Sequence, residues 1–483
     1  MVSTSASHSR VVADRGSAKH AAARSSNRAG STPTRGGSAN LSSILLTGLA
    51  LFAMFFGAGN LILPVMIGIE GGSSASIVTA GFVITGVALP VLAMVAAATS
   101  EEGIEGIASR IGRIPGLVFC WMAMLTTGVL YAVPRVATVS FQMSAGAIGD
   151  LSGTPGSPGL LIYTLIFMLV TAVLVLNPDN LMVKIGGWLT PALLVLMIAL
   201  IVAALLRLTP VLDEPAEAYR STPFISGLLT GYNTLDALAS LIFGTVIITS
   251  LRSRGVSPGK PLFRATASSG IVAGLLLAGI YLGLSQVGVR IGNADVPDGA
   301  AGISYAASLL FGAPGQWLLA VIAILACLTT AVGLIGASTQ FFQGQFPRIP
   351  RIALLVIHVV VALAVANLGL ATLMNIVVPM MYFCYPVTIA VVVASIIDIV
   401  VPGHLYHAYR IPVWTAALFG LLDAVAQSFK LFGAEFPGWL DWLIGAVPLA
   451  DISLGWVVPA GVMLVLGLVL DAATGRFARQ TAL

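Results

Sequence analysis

From residue 193 to residue 206 every side chain is apolar, reading Leu-Leu-Val-Leu-Met-Ile-Ala-Leu-Ile-Val-Ala-Ala-Leu-Leu. Such a run does not suit a barrel strand, whose side chains face lipid and lumen in turn. It suits a helix crossing a bilayer, which takes roughly 20 mostly apolar residues. Twelve stretches of this kind recur, near residues 43–68, 75–98, 115–141, 159–176, 188–207, 223–250, 266–288, 313–341, 350–368, 371–397, 411–430 and 454–471. Only 9% of the 483 residues are charged and 58% are hydrophobic, against about 25% charged in a soluble domain. Too few polar groups remain to cover a water-exposed surface. A soluble enzyme, a disordered chain and a nucleic-acid binder are therefore excluded, and the reading is an all-α polytopic membrane protein with twelve transmembrane helices.

Residues 1–40 differ. They are rich in Ser, Ala, Gly and Arg, with six basic residues against the single acid Asp14. Nothing there can form a core, so a disordered tail is expected. The composition also resembles an organelle transit peptide, but not a secretory signal, because the apolar stretch that follows is too long. The three cysteines, Cys120, Cys327 and Cys384, lie singly in apolar runs and suggest neither disulfides nor zinc. With the tail placed inside, 18 Lys and Arg residues fall on the inner side and 4 on the outer. That bias predicts both termini in the cytoplasm of a cell-membrane protein.

Two spans are interrupted. The first reads Leu51-Phe-Ala-Met-Phe-Phe-Gly-Ala-Gly-Asn-Leu-Ile-Leu-Pro64, where glycines, an asparagine and a proline all weaken a helix in hydrocarbon. A packed kink of small residues is the plainer alternative. The sixth reads Gly231-Tyr-Asn-Thr-Leu-Asp236. An aspartate at mid-span costs about 2.5–3.5 kcal/mol on insertion scales and marks a partner or a solute path. Breaks five spans apart sit in blocks of opposite direction, the signature of an inverted repeat whose half-helix ends meet at the midplane. Free N–H groups there favour a carboxylate and free C=O groups a cation. In span eight, Thr329 and Thr330 offer hydroxyls to a hard cation, although threonine in a membrane helix usually bonds back to the preceding turn.

These residues carry a resemblance. The runs Phe55-Phe-Gly-Ala-Gly-Asn-Leu-Ile-Leu-Pro64 and Gly231-Tyr-Asn-Thr-Leu-Asp-Ala-Leu-Ala239 resemble signatures of the bacterial branched-chain amino-acid carriers. This is the system II family of leucine/isoleucine/valine:cation symporters, in the amino acid–polyamine–organocation superfamily, and the likeness covers about residues 41–471. It implies a five-plus-five inverted repeat with discontinuous helices one and six, and uptake of Leu, Ile and Val coupled to Na⁺, with H⁺ the alternative. The implied units are a tail (1–40), a first repeat (41–207), a second repeat (208–397), and helices 11 and 12 with a C-terminal tail (398–483). By resemblance, Gly57, Ala58 and Gly59 hold the substrate carboxylate and Asn60 orders the break. Tyr131 bonds the carboxylate, and Gly231, Tyr232, Asn233, Thr234 and Asp236 form the matching break. Carbonyls near Ala53 and Phe56, with Thr329 and Thr330, resemble a sodium site.

Arg135, late in span three, is read as snorkelling to the outer interface, with a pairing to Asp236 the weaker alternative. His358 is read as a satisfied buried group, and His404 and His407 as solvated loop residues. An intramembrane enzyme needs a nucleophile–base pair or a metal cluster, and the sequence offers no such arrangement and no nucleotide-binding P-loop. Energetically one coupling ion is sufficient: about 2.3 kcal/mol per charge per 100 mV supports roughly 50-fold accumulation.

Overall fold

The computed structural model describes residues 39–148, 155–176, 185–232, 234, 236–292, 294–296, 298–368, 370–401, 404–431, 433, 437–452 and 454–475. The expected tail falls almost wholly outside these. Its boundary is a helix start: Asn40 caps the first helix, accepting from the Ser43 N–H at 2.9 Å.

In chain order the main helices are α1 (Leu41–Phe55), α2 (Ala58–Gly71), α3 (Ala75–Val83), α4 (Leu89–Ala97), α5 (Ile104–Ser109), α6 (Arg113–Leu125), α7 (Ala132–Ile148), α8 (Pro158–Val175) and α9 (Thr190–Arg207). Then follow α10 (Glu217–Arg220), α11 (Pro223–Tyr232), α12 (Asp236–Ser253), α13 (Lys260–Arg290), α14 (Gly299–Phe311), α15 (Ala313–Gln345) and α16 (Arg351–Ala366). The last are α17 (Leu370–Val400), α18 (His407–Leu431), α19 (Gly438–Gly445) and α20 (Val457–Ala473). Among the described residues nine helical stretches are long and apolar enough to cross a membrane. Leu41–Phe55, Arg351–Ala366 and Val457–Ala473 are shorter apolar helices on three further predicted spans. Outward faces are apolar, with Leu206 80% and Leu275 70% exposed, as a lipid-facing surface requires.

Both interruptions are present. α1 stops at Phe55, Gly57 is extended (φ −100°, ψ −166°), and α2 begins at Ala58 with no side-chain cap on its first turn. Between α11 and α12, Thr234 folds back so that its hydroxyl donates to the Gly231 carbonyl at 2.9 Å.

Among the described residues, three helices contain a π-helical turn, at Ile84–Ala88, Thr126–Leu130 and Ile185–Leu189. Each lies shortly before a proline: Pro90, Pro134 and Pro191. Proline lacks the N–H that would continue the ladder, and a widened turn absorbs the mismatch. The middle turn sets the direction of Tyr131 and Arg135.

Small residues fix two close crossings. Gly68 of α2 and Gly288 of α13 touch so closely that a Cβ on either would lie 2.1 Å from a backbone oxygen of the other helix. Gly81 of α3 and Gly227 of α11 do the same, at 2.2 and 2.0 Å. Glycine is required at both because backbones approach without a side chain between them.

α14 was not foreseen, being only 13 residues long and capped by Asp298, whose side chain accepts from Ala301 N–H at 2.8 Å. Gly299 sits against the Ile62 backbone, so α14 lies across α2. His358 is buried and satisfied, as read: Nε2 pairs with Ser338 Oγ at 2.9 Å and Nδ1 with the Leu354 carbonyl at 2.7 Å. His407 departs from the solvated reading. It opens α18, and its Nδ1 lies 2.9 Å from the fully buried Asp471.

Candidate functional site

The two breaks open onto one cavity of about 70 Å³, between α1, α2, α7, α12, α15 and α17. At roughly 10–15 Å³ per water position this holds several waters, or a small solute in their place. One side is polar, formed by Gly57, Gly59, Asn60, Thr127, Tyr131, Arg135, Thr234, Asp236 and Thr330. The other is apolar, formed by Met54, Phe55, Leu63, Ala132, Val136, Ala239, Phe243, Leu334 and Met381. A few fixed polar groups facing an apolar wall is the usual design of a small-molecule site.

Asn60 connects the breaks. Its Nδ2 donates to the Phe55 carbonyl at 2.7 Å, closing the open end of α1. The same nitrogen donates to Asp236 Oδ2 at 2.9 Å. Asp236 stands in the first turn of α12, where the helix dipole favours a negative charge. The first turn of α2 has no side-chain cap at Gly57, and its Gly59 and Asn60 line the same space.

Behind this lies a cluster of oxygens. Thr329 Oγ1 donates to the Ala53 carbonyl at 2.7 Å and lies 2.9 Å from that of Ala326. Thr330 Oγ1 donates to the Met54 carbonyl at 2.9 Å and lies 3.2 Å from that of Ala326. The hydroxyls thus reach across to α1 as well as back along α15. Carbonyl and hydroxyl oxygens are the donor set a hard cation takes. The Phe56 ring stacks on Phe52 with centroids 5.3 Å apart.

Arg135 does not reach the outer interface. It lines the central cavity, its Nη1 donating to Tyr131 Oη at 2.9 Å and its guanidinium carbon 5.4 Å from the Tyr131 ring centre. Tyr131 and Arg135 are one helical turn apart, and the π-helical turn before them rotates both inward. That four-residue spacing beside Pro134 was the available signal, and the widened turn was not foreseeable from it.

Gly231 and Tyr232 do not line the cavity. Gly231 packs against Thr85 and the Phe82 backbone, and Tyr232 meets Tyr385 edge-on at 4.6 Å. Tyr232 Oη accepts from Trp456 Nε1 at 3.3 Å. Asn233 lies outside the described residues, and so does the side chain of Ala58, the first residue of α2.

A family described as branched-chain amino acid transport protein matches residues 40–474. The chain is 38% identical over 430 residues to the branched-chain amino acid permease BrnQ of Corynebacterium glutamicum, covering 89% of this chain and 95% of that one. It is 36% identical over 439 residues to the branched-chain amino acid transport system 2 carrier protein of Pseudomonas aeruginosa, covering 90% and 97%. Among solved structures, a manganese transporter of Eremococcus coleocola superposes with a TM-score of 0.52 at 13% identity, covering 88% of this chain and 94% of that one. The last likeness is one of fold alone.

Proposed function

The chain belongs to the branched-chain amino acid transport protein family, and from that premise we propose that it imports Leu, Ile and Val across the cell membrane by cation-coupled symport. Twelve spans, with both termini cytoplasmic, form a five-plus-five inverted repeat that alternates access to the cavity. The observation that carries the reading is the meeting of two broken helices at one cavity, joined by Asn60 and Asp236. The close crossings support the repeat. Span one crosses span seven at Gly68 and Gly288, and span six crosses span two at Gly227 and Gly81. A shift of five spans turns one pair into the other.

In this reading the N–H groups at the start of α2 hold the substrate carboxylate, and Asp236 with the span-six break holds the ammonium. The wall of Phe243, Leu334 and Met381 takes the branched side chain. Na⁺ is the coupling ion, held among Ala53, Thr329 and Thr330, where it bridges spans one and eight and favours the outward-open form. The second reading is a proton-coupled carrier for another small amino acid or organic solute. It is favoured by one observation: Asp236 is a titratable carboxyl lining the cavity itself.

The test is radiolabelled isoleucine uptake into proteoliposomes under an inward Na⁺ gradient, an equal K⁺ gradient, or an acid-outside pH gradient. Uptake with Na⁺ alone, competed by leucine and valine, is expected. Uptake driven only by acid would move the coupling role to Asp236. Folded protein with no isoleucine uptake under any gradient would sink the substrate assignment.

A further inference from the structure

An arginine and an aspartate line the cavity without collapsing onto each other. Arg135 comes from α7 and Asp236 from the first turn of α12. No ion pair within 4.0 Å joins them among the described residues. Each is held instead by a neutral neighbour: Arg135 by the Tyr131 hydroxyl at 2.9 Å, and Asp236 by the Asn60 amide at 2.9 Å. The arginine also lies against the start of α2, where a Cβ on Gly59 would be 3.3 Å from Nη2. A helix start is the positive end of its dipole. A guanidinium laid on that end is repelled by it, so both groups point to an anion that satisfies them together.

We propose that Arg135 binds the substrate carboxylate, so that the cavity is a charge-matched cradle for a zwitterion with Asp236 at its ammonium end. This rests on the transport reading above and deepens it. The planar fork of arginine matches a carboxylate in two parallel hydrogen bonds, and Tyr131 fixes the fork through Nη1. The site therefore selects free α-amino acids and rejects molecules that lack either charge.

The experiment is equilibrium binding of labelled leucine to the purified full-length chain, competed by 3-methylbutylamine (leucine without its carboxylate) or 4-methylpentanoate (leucine without its ammonium). The wild type is expected to reject both competitors. Arg135→Gln is expected to weaken leucine binding about 10- to 100-fold, the loss of a charge-assisted pair. Its preference for leucine over 3-methylbutylamine should collapse while 4-methylpentanoate is still rejected. Asp236→Asn should show the mirror pattern. Leucine affinity or the leucine-to-amine ratio unchanged in Arg135→Gln would overturn the proposal and leave a structural arginine. If that variant does not fold, Arg135→Lys decides by the same ratio, since lysine keeps the charge and loses the fork. A wild type that binds no leucine would overturn the transport reading itself, and this inference with it.

Discussion

Asn60 and Asp236, 176 residues apart in sequence, meet through one hydrogen bond of 2.9 Å at the point where the two broken helices face each other. The donor nitrogen also holds the last carbonyl of α1, so one amide ties the end of α1, the start of α2 and the start of α12. Removing it takes a donor from the Asp236 carboxylate and leaves the Phe55 carbonyl with the Gly57 N–H, at 2.8 Å. Asn60→Ala is expected to cut isoleucine transport about tenfold or more, the effect of losing a hydrogen bond to a charged group. Asn60→Asp, which sets two carboxyls against each other, should be worse still. The check is uptake by reconstituted protein of verified fold. Normal uptake by Asn60→Ala would show the tie to be dispensable.

Gly57 and Gly231 predict opposite kinds of loss. A Cβ on Gly57 would lie against the Thr330 side chain, 3.2 Å from Oγ1 and 3.5 Å from Cγ2, and a shift of a few tenths of an ångström relieves it. A Cβ on Gly231 would lie 2.2 Å from Thr85 Oγ1 and 2.5 Å from the Phe82 carbonyl, where backbone must move. Gly57→Ala should therefore fold normally and need several-fold more Na⁺. Gly231→Ala should lose about 1–3 kcal/mol of stability through overpacking. Melting curves beside Na⁺ titrations distinguish the two, and a reversed pattern would contradict the packing.

Glu105 gives a pH prediction outside the membrane spans. It lies on the short connecting helix α5, where burial raises its carboxyl above the ordinary range and the Glu102 charge adds to the rise. A carboxyl raised on folding contributes stability that is complete below about pH 4 and is lost as pH rises past its folded value. Glu105→Gln should thus melt slightly above wild type at neutral pH and level with it near pH 4. A gap that widens on acidification would refute this.

The breaks were legible because polar and helix-breaking residues stand out against an apolar background. Asn60, Asp236 and the Thr329–Thr330 pair were recognisable for that reason, and the cavity does gather Asn60, Asp236 and Thr330. What the sequence left open was direction. Gly231 and Tyr232 belong to the second break yet pack against spans two and ten. The facing of Arg135 is not legible in the sequence because it depends on a π-helical turn upstream, and a helical wheel assumes regular turns. α14 escaped because 13 residues lie below the length that marks a span.

Asp471 explains why helices α18 and α20 stay together. Its fully buried carboxylate accepts from the N–H groups of Tyr406, His407 and Ala408 at 3.0, 3.0 and 2.9 Å, and from His407 Nδ1. This caps the start of α18 with a side chain from another helix. Asp471→Asn turns an amide NH₂ toward donors, and about 2–4 kcal/mol of stability should be lost. The half-saturating isoleucine concentration of the surviving protein should not move, because among the described residues Asp471 and its partners are not cavity-lining. A changed substrate affinity would instead couple this end of the bundle to transport.

Thr329 and Thr330 allow the ion reading to be separated from a packing role. Each hydroxyl has one hydrogen and lies near two carbonyls, one on α1 and one on its own helix. Both threonines bond to α1 directly, so alanine at either position loosens that contact whatever the ion. The two roles differ in what serine restores and in what Na⁺ does to stability. If the oxygens are ligands, Thr330→Ala should raise the half-saturating Na⁺ concentration roughly tenfold, about the worth of one lost ligand oxygen. Thr330→Ser should stay near wild type, and the ratio of leucine to valine transport should be unchanged in both. Added Na⁺ should raise the melting temperature of wild type but not of Thr330→Ala, since a ligand stabilises only the state that binds it. Equal stabilisation of both proteins by Na⁺ would remove Thr330 from the ion site and leave it as a tie between α15 and α1.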